Sequence, residues 1–402
     1  MIWISHPTGN EFVRALLAAG ERGGTEFLFH TTVGRPQGRG GRLLRRREFP
    51  VAPGHLQTRP ARELVRLLAT ALGARGLTAH EIGWASVDAV YQDLDRAVAR
   101  RLRAAGGAVQ AVHAYEDGAR ETFEAATAFG VRRSYELPIA YWETARRILT
   151  EEAARLPAWE PTLGATRDSA AKCDRKTREA ELADAIVCPS RFVAESLPPA
   201  WRAKAVLAPF GSPVAAGPET PGRPAGGRPL RVLFAGSLSQ RKGLADLFAA
   251  LRLLPRGTAE LVLLGSWCAP PEFYRREYPE FTYLPTRPHP EVLAAMRTCD
   301  VLCLPSLVEG RALVVQEAMS QGLPVIVTPH TGADDLVADG RNGFVVPVRA
   351  PAAIAEKLAW LADHPEARPE LGRAARAAAA RLTWPAYAAT VLAVARGQSV
   401  TC

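Results

Sequence analysis

The chain has 402 residues, 48% of them hydrophobic, which is ample for a buried core and fits two domains. Its formal charge of +9 is moderate for that length and selects no single class of acidic partner. Six cysteines lie scattered without a CxxC pair or companion ligands at metal spacing, so they read as core or incidental thiols, and no apolar run approaches the roughly 18–20 residues that span a bilayer.

The first residues, "MIWISHPTGN", lack the charged start, apolar middle and small-residue cleavage site of a signal peptide, so a cytoplasmic protein is expected. "IWIS" reads as a strand, "EFVRALLAAG" has helical spacing, and "EFLFHTTV" reads as a second strand. Next comes "GRGGRLLRRREF", a Gly-loosened basic segment. Its Arg39, Arg42, Arg45, Arg46 and Arg47 suit a solvated loop, or peripheral contact with anionic lipid or a phosphate-bearing acceptor. Aromatic residues do not interleave with them, which argues against a nucleic-acid partner. "AVQAVHAY" reads as a strand with His113 near its end and Asp117 just beyond, where Asp117 also suits a helix N-cap.

A Pro/Gly cluster over 209–229 reads as a linker. It divides an N-terminal domain, 1–208, from a C-terminal domain, 230–380, with 381–402 read as a helix returning to the first domain. In the second domain "LRVLFAGS", "AELVLLGS", "DVLCLPS" and "PVIVTP" are strands between helical stretches. Nearly continuous apolar strands interleaved with helices predict α/β domains with parallel sheets covered on both faces.

Two stretches of the second domain carry candidate chemistry. After strand Val232–Ala235, Arg241 and Lys242 fall in a strand-to-helix loop, a setting that suits a diphosphate, although a solvated loop has the same composition. Strand Val301–Leu304 delivers Pro305 and Ser306 to the carboxyl edge of the sheet, where ligands of open α/β sheets bind. Glu309 and Gly310 follow in the turn, a helix starts near Ala312, and Gly322 with Pro324 ends it. The first-turn amides around Leu313 and Val314 lack intrahelical partners and carry the positive end of the helix dipole. Glu317 shares their inward face. A buried carboxylate there needs a partner, and the vicinal hydroxyls of a ribose would serve.

"GSLSQRKG", "PSLVEGRALVVQEAM", "HTGADDLV" and "DGRNGFVVP", in that order, resemble the motifs of retaining glycosyltransferases of the GT-B fold, glycosyltransferase family 4. "HPTGNEFVRALLAAG" and "CDRKTREAELADAIVCPSRFVAESL" resemble the N-terminal half of that superfamily. The resemblance implies two Rossmann-like, doubly wound parallel-sheet domains facing a cleft, the first binding the acceptor and the second a UDP- or GDP-linked sugar. It implies no cofactor and no metal, and no D-x-D pair stands at a strand end. Lys242 and Arg241 would neutralise the donor diphosphate, and Glu317 would bind the ribose. Glu309, with the amides of Gly310, Arg311, Ala312, Leu313 and Val314, would face the transferred sugar and the phosphates. Thr286 and Arg287 would border the nucleobase. Gly9 and Asn10 would bring backbone to the diphosphate from across the cleft, an approach glycine permits, although Asn10 also suits a cap of the following helix. His113 or Asp117 would face the acceptor hydroxyl. Two positions depart from the family: Ser237 stands where many members carry Arg, and Arg311-Ala312 replaces an aromatic-glycine pair.

The expected activity is hexosyl transfer with retention of configuration, in polysaccharide, glycolipid or cell-envelope glycan synthesis, at the inner face of a membrane. The alternative is a catalytically silent subunit that binds a nucleotide sugar or a partner. A nicotinamide-dependent dehydrogenase has the same strand–helix pattern but needs G-x-G-x-x-G opening a helix, which neither "SHPTGNEF" nor "FAGSLSQRKG" supplies.

Overall fold

The computed structural model describes residues 1–38, 47–214 and 228–398. Arg39, Arg42, Arg45, Arg46 and most of the linker lie outside the described residues. The first sheet runs, in spatial order, Leu56–Thr58, Phe27–Thr31, Ile2–Ser5, Ala111–Tyr115, Arg132–Glu136, Ala185–Cys188 and Ala205–Leu207, with every pairing parallel. The second runs Phe281–Pro285, Ala259–Trp267, Leu230–Leu238, Val301–Leu304, Val325–Val327 and Gly343–Val345, again all parallel. In both sheets the chain order reverses beside the first strand. The loops leaving Ile2–Ser5 and Ala111–Tyr115 diverge, as do those leaving Leu230–Leu238 and Val301–Leu304, and each divergence opens a crevice at the carboxyl edge.

The strands follow from their patterning. "IWIS" and "VLCL" are buried at every position, as strands covered on both faces must be. Helix Glu11–Arg22 buries Phe12, Val13, Leu16 and Leu17, a stripe at helical spacing. Strand Leu230–Leu238 is longer than the sequence reading, because Gly236 and Ser237 continue to pair with Gly265 and Ser266.

Each sheet has its own core, and the chain crosses between the two. Helix Trp384–Ala395 buries Tyr387, Val391 and Leu392 in the first domain, with Tyr387 against Phe12 and Phe210. In the other direction, Trp159 sits in the core of the second domain against Phe248, Phe273 and Tyr274. A further apolar cluster joins Ala140, Ala145, Ile148, Leu149 and Leu163 of the first domain to Leu307 and Val308 of the second. Among the described residues no helix is long and apolar enough to cross a membrane.

Candidate active site

Leu307 and Val308 anchor the loop after Val301–Leu304 in that interdomain cluster, and the loop in turn fixes the cations. The Leu307 amide donates to the Arg241 carbonyl at 2.8 Å, and Arg241 Nη1 donates to the Val308 carbonyl at 2.8 Å. Gly243, at φ +78°, lies so close to Pro305 that a Cβ would sit 2.0 Å from its carbonyl oxygen. The two switch-point loops therefore form one packed unit. On it, Lys242 Nζ bonds Glu309 Oε1, and Arg241 Nη1 lies 3.0 Å from the same oxygen. Burial acts to raise the pKa of Glu309, but the charges and hydrogen bonds of Lys242 and Arg241 outweigh it and hold the carboxyl below its ordinary range. Glu309 is thus itself the anion on the cation pair. Ser237 stays in the strand ladder opposite Ser266 and adds no charge.

The helix that follows is Leu313–Ser320, with Ala312 at its N-cap. The Ala312 amide donates to the Thr331 carbonyl at 3.0 Å, so it faces a turn of its own domain and not a ligand. Leu313 and Val314 occupy the first turn, whose amides have no carbonyl within the helix to meet. Glu317 is mostly buried and its Oε1 lies 3.0 Å from His289 Nε2. Burial raises its pKa, against the opposing effect of His289. Because His289 follows Thr286 and Arg287 closely in the chain, this contact brings that segment to the Glu317 side of the crevice.

Two of the expected donor residues also hold the domains together. Arg311 turns inward: its side chain is fully buried, Nε donates to Gln316 Oε1 at 2.9 Å, and Nη1 donates to Asp335 Oδ1 at 2.9 Å and to the Gly332 and Pro189 carbonyls at 3.1 and 3.3 Å. Its guanidinium joins the domains, since Pro189 belongs to the first. Gly310 is also a domain contact. A Cβ there would lie 1.6 Å from the Pro138 carbonyl oxygen, and the Gly310 carbonyl accepts from Ser190 Oγ at 2.6 Å. Ser190 caps helix Arg191–Ser196 through the Val193 amide as well.

In the first domain, His6 Nδ1 accepts the amides of Thr8 and Gly9 at 3.1 and 2.9 Å, so that nitrogen carries no proton. Burial chiefly, with the charge of His113, lowers the His6 pKa to about 3. The Gly9 amide therefore faces His6 and not the opposite domain, which corrects its expected role. Asn10 is exposed and precedes helix Glu11–Arg22 in extended conformation, with no side-chain cap bond. His113 lies within the sheet: Nε2 is 3.1 Å from Glu136 Oε2 and Nδ1 3.0 Å from Ser134 Oγ, while the Tyr387 hydroxyl of the returning helix donates to Glu136 at 3.2 Å. Its side chain points into the packed face, so it does not meet an acceptor there.

Asp117 does reach the edge. It has a left-handed φ of +67°, and its carboxylate stands 3.6–3.9 Å from Lys172, Arg175 and Lys176. It is not a cap: Ala119 holds the N-cap position of helix Arg120–Ala128, and Glu179 accepts the amides of Asp117, Ala119 and Arg120 at 2.9, 3.0 and 3.2 Å. Burial raises the Glu179 pKa. Lys176 and Arg241 line one small interdomain cavity of about 50 Å³, which joins the Asp117 cluster to the cation loop.

Sequence reasoning missed Glu179, His6 and His289, and also Gln240, which is held by Glu152. No local signal marks them, because their partners lie far off in the chain or, for His6, are backbone amides.

Two Rossmann-like parallel sheets with their switch points facing a shared crevice define a GT-B fold. Sucrose-phosphate synthase from Thermosynechococcus elongatus superposes over 98% of both chains with a TM-score of 0.68 and 18% identity. The UDP complex of Anabaena HepE covers 98% of both at 0.62 and 15% identity, and WaaG, a glycosyltransferase involved in lipopolysaccharide biosynthesis, covers 99% of this chain and 100% of its own at 0.63 and 14%. Residues 223–378 match the family described as glycosyl transferases group 1. D-inositol 3-phosphate glycosyltransferase of Corynebacterium glutamicum (strain R) is 33% identical over 171 residues, 39% of this chain and 41% of that protein. The putative colanic acid biosynthesis glycosyltransferase WcaL of Salmonella typhimurium is 32% identical over 146 residues, 33% and 36% of the two chains. The matched region thus spans about two fifths of the length of these curated relatives.

Proposed function

We propose that this chain transfers a hexosyl unit from a nucleotide diphosphate sugar to an acceptor hydroxyl, with retention of anomeric configuration and without a divalent metal. The observation that carries the reading is the convergence of Lys242 and Arg241 on one carboxylate at the switch point of the second domain. The group 1 match over that domain supports it, as do fold neighbours solved in complex with UDP and with UDP-glucose.

In this reading Lys242 and Arg241 hold the donor diphosphate and neutralise the charge that builds as it departs, with the amides of Leu313 and Val314 adding the positive end of a dipole. Most of the rate enhancement then comes from positioning and fixed charge. Glu317 accepts the ribose hydroxyls, Thr286 and Arg287 border the base, and Asp117 stands on the acceptor side. Relatives named for an inositol phosphate and for colanic acid support a polyol or saccharide acceptor in glycan or glycolipid synthesis. Peripheral contact with an anionic membrane, for which Arg39, Arg42, Arg45 and Arg46 are the sequence candidates while Arg47 is held by Glu63, completes the reading.

Lys242→Ala and Glu317→Ala should each lower transfer at least about a hundredfold with circular dichroism unchanged, and turnover should survive EDTA. Wild-type-like turnover in either variant removes the site assignment. The inward Arg311 favours a second reading, a silent subunit. Calorimetry that found nucleoside diphosphate binding, beside assays with neither hydrolysis nor transfer of any donor sugar, would establish it.

A further inference from the structure

Helix Ala61–Ala71 is inside out. At helical spacing Ala61, Leu64, Leu67, Leu68, Ala71 and the following Leu72 form one stripe. That stripe faces solvent, with Leu64 51%, Leu68 60% and Leu72 74% exposed. On the opposite side, Glu63 is buried, and its carboxylate accepts from Arg47 Nη2 at 2.5 Å and Arg66 Nε at 2.6 Å. A surface helix normally turns its apolar stripe to the core and its charges to water. The apolar surface continues through Leu77, Ile82, Trp84 and Val87, so eight of the twelve large exposed apolar side chains among the described residues fall within 24 positions. So dense a cluster along one stretch of chain is not the usual scatter of single exposed residues.

Residues 59–87 hold four arginines and two glutamates, with Asp93 paired to Arg59 and Arg62. Arg62 lies 4.6 Å from the Trp84 ring centroid and donates to its carbonyl, and Arg75 is exposed. Both glutamates of the stretch are already bonded: Glu63 to the two arginines, and Glu81 to the Ser169 amide at 2.8 Å. Segment 39–46, with four further arginines, rejoins the described chain at Arg47, beside Glu63. A second copy of this chain would bring like charge to like, given a net +9.

We propose that this face docks on an anionic lipid bilayer, with the leucines, Ile82 and Trp84 entering the interface and the arginines meeting headgroup phosphates. Arg47 links the docked face to the crevice, since its Nη1 donates to the Thr8 carbonyl at 3.3 Å, next to Gly9. The inference rests on the peripheral-membrane part of the proposed function and places the contact on the helix rather than on the arginine segment.

The test is co-sedimentation of the full chain with vesicles of phosphatidylcholine alone and of equimolar phosphatidylcholine and phosphatidylglycerol. The wild type should bind the mixed vesicles, less so in high salt, and barely bind neutral ones. Leu68→Glu and Ile82→Glu should each lower the partition coefficient at least about tenfold while thermal unfolding stays at the wild-type temperature. Undiminished binding by both variants overturns the inference, and so does a wild type that ignores vesicles but self-associates through Leu68. If Arg42→Ala/Arg45→Ala/Arg46→Ala loses binding and the glutamate variants do not, the arginine segment is the contact and the helix is not.

Discussion

Glu309 and Glu317 are both largely buried carboxylates on one loop-and-helix unit, yet their surroundings push them in opposite directions. Lys242 and Arg241 overcome burial at Glu309 and depress its pKa, whereas burial prevails over His289 at Glu317 and raises its pKa. For Glu309 the folded pKa lies below the unfolded value of 4.5, so its stabilisation is present above that pH and is lost as pH falls through the folded value. Glu309→Gln should therefore flatten the acid limb of stability, read as thermal unfolding in steps from about pH 6 to about pH 3. For Glu317 the consequence is in binding. An ionised carboxylate accepts from one ribose hydroxyl at each oxygen, whereas protonation turns one of those oxygens into a donor. Nucleoside diphosphate affinity should then weaken as pH drops through the raised Glu317 pKa, and Glu317→Gln should bind weakly without that step. Because His289 lowers the Glu317 pKa, His289→Asn should move the step to higher pH. Calorimetric titration across pH checks this, and a step that stays in place would separate His289 from the ribose site.

At the scale of elements, the loops matter through what they touch in the other domain. Gly310→Ala would set a methyl 1.6 Å from where the Pro138 carbonyl oxygen stands, and neither backbone has a flexible end to yield. The substitution should cost about 2 kcal/mol or more in denaturant unfolding, and a neutral result would mean the two loops are not packed as described. The strands and the order of the motifs were legible in the sequence, because apolar runs such as "VLCL" and the glycine after a helix are local patterns. The cation loop and Glu317 were legible for the same reason. What was hidden is pairing across distance: Gly310 against Pro138, Arg311 on the Pro189 carbonyl, and Glu179 capping a helix some sixty residues away. The leucine stripe of Ala61–Ala71 is plain in the sequence, but only the fold reveals which way it faces.

The largest scale brings the two domains into register through Gln240, the residue before the cation pair. Its amide donates to Thr162 Oγ1 at 3.0 Å, and its Nε2 donates to Glu152 Oε1 at 2.6 Å and Asp246 Oδ2 at 2.9 Å. Glu152 is fully buried on helix Trp142–Arg155 of the first domain, and it also accepts from Arg155 at 2.6 Å and from Arg349 of the second domain at 2.8 Å. Arg349 holds a left-handed φ of +59° while its Nη2 reaches the Ile148 carbonyl at 2.9 Å. One carboxylate of the first domain thus gathers the loop that carries Arg241 and Lys242 and the segment that carries Arg349. Removing one member of such a buried ionic group costs about 3–5 kcal/mol, because the remaining charges keep their desolvation without their partner. Here that cost falls on the domain contact, since each sheet keeps its own apolar core. Glu152→Ala should therefore split thermal unfolding into two transitions, enlarge the radius of gyration in small-angle scattering, and lower transfer although every donor-side residue is intact. A single wild-type-like transition with unchanged scattering would mean that the other domain contacts, the Leu307–Val308 cluster and Arg311 among them, suffice to hold the register.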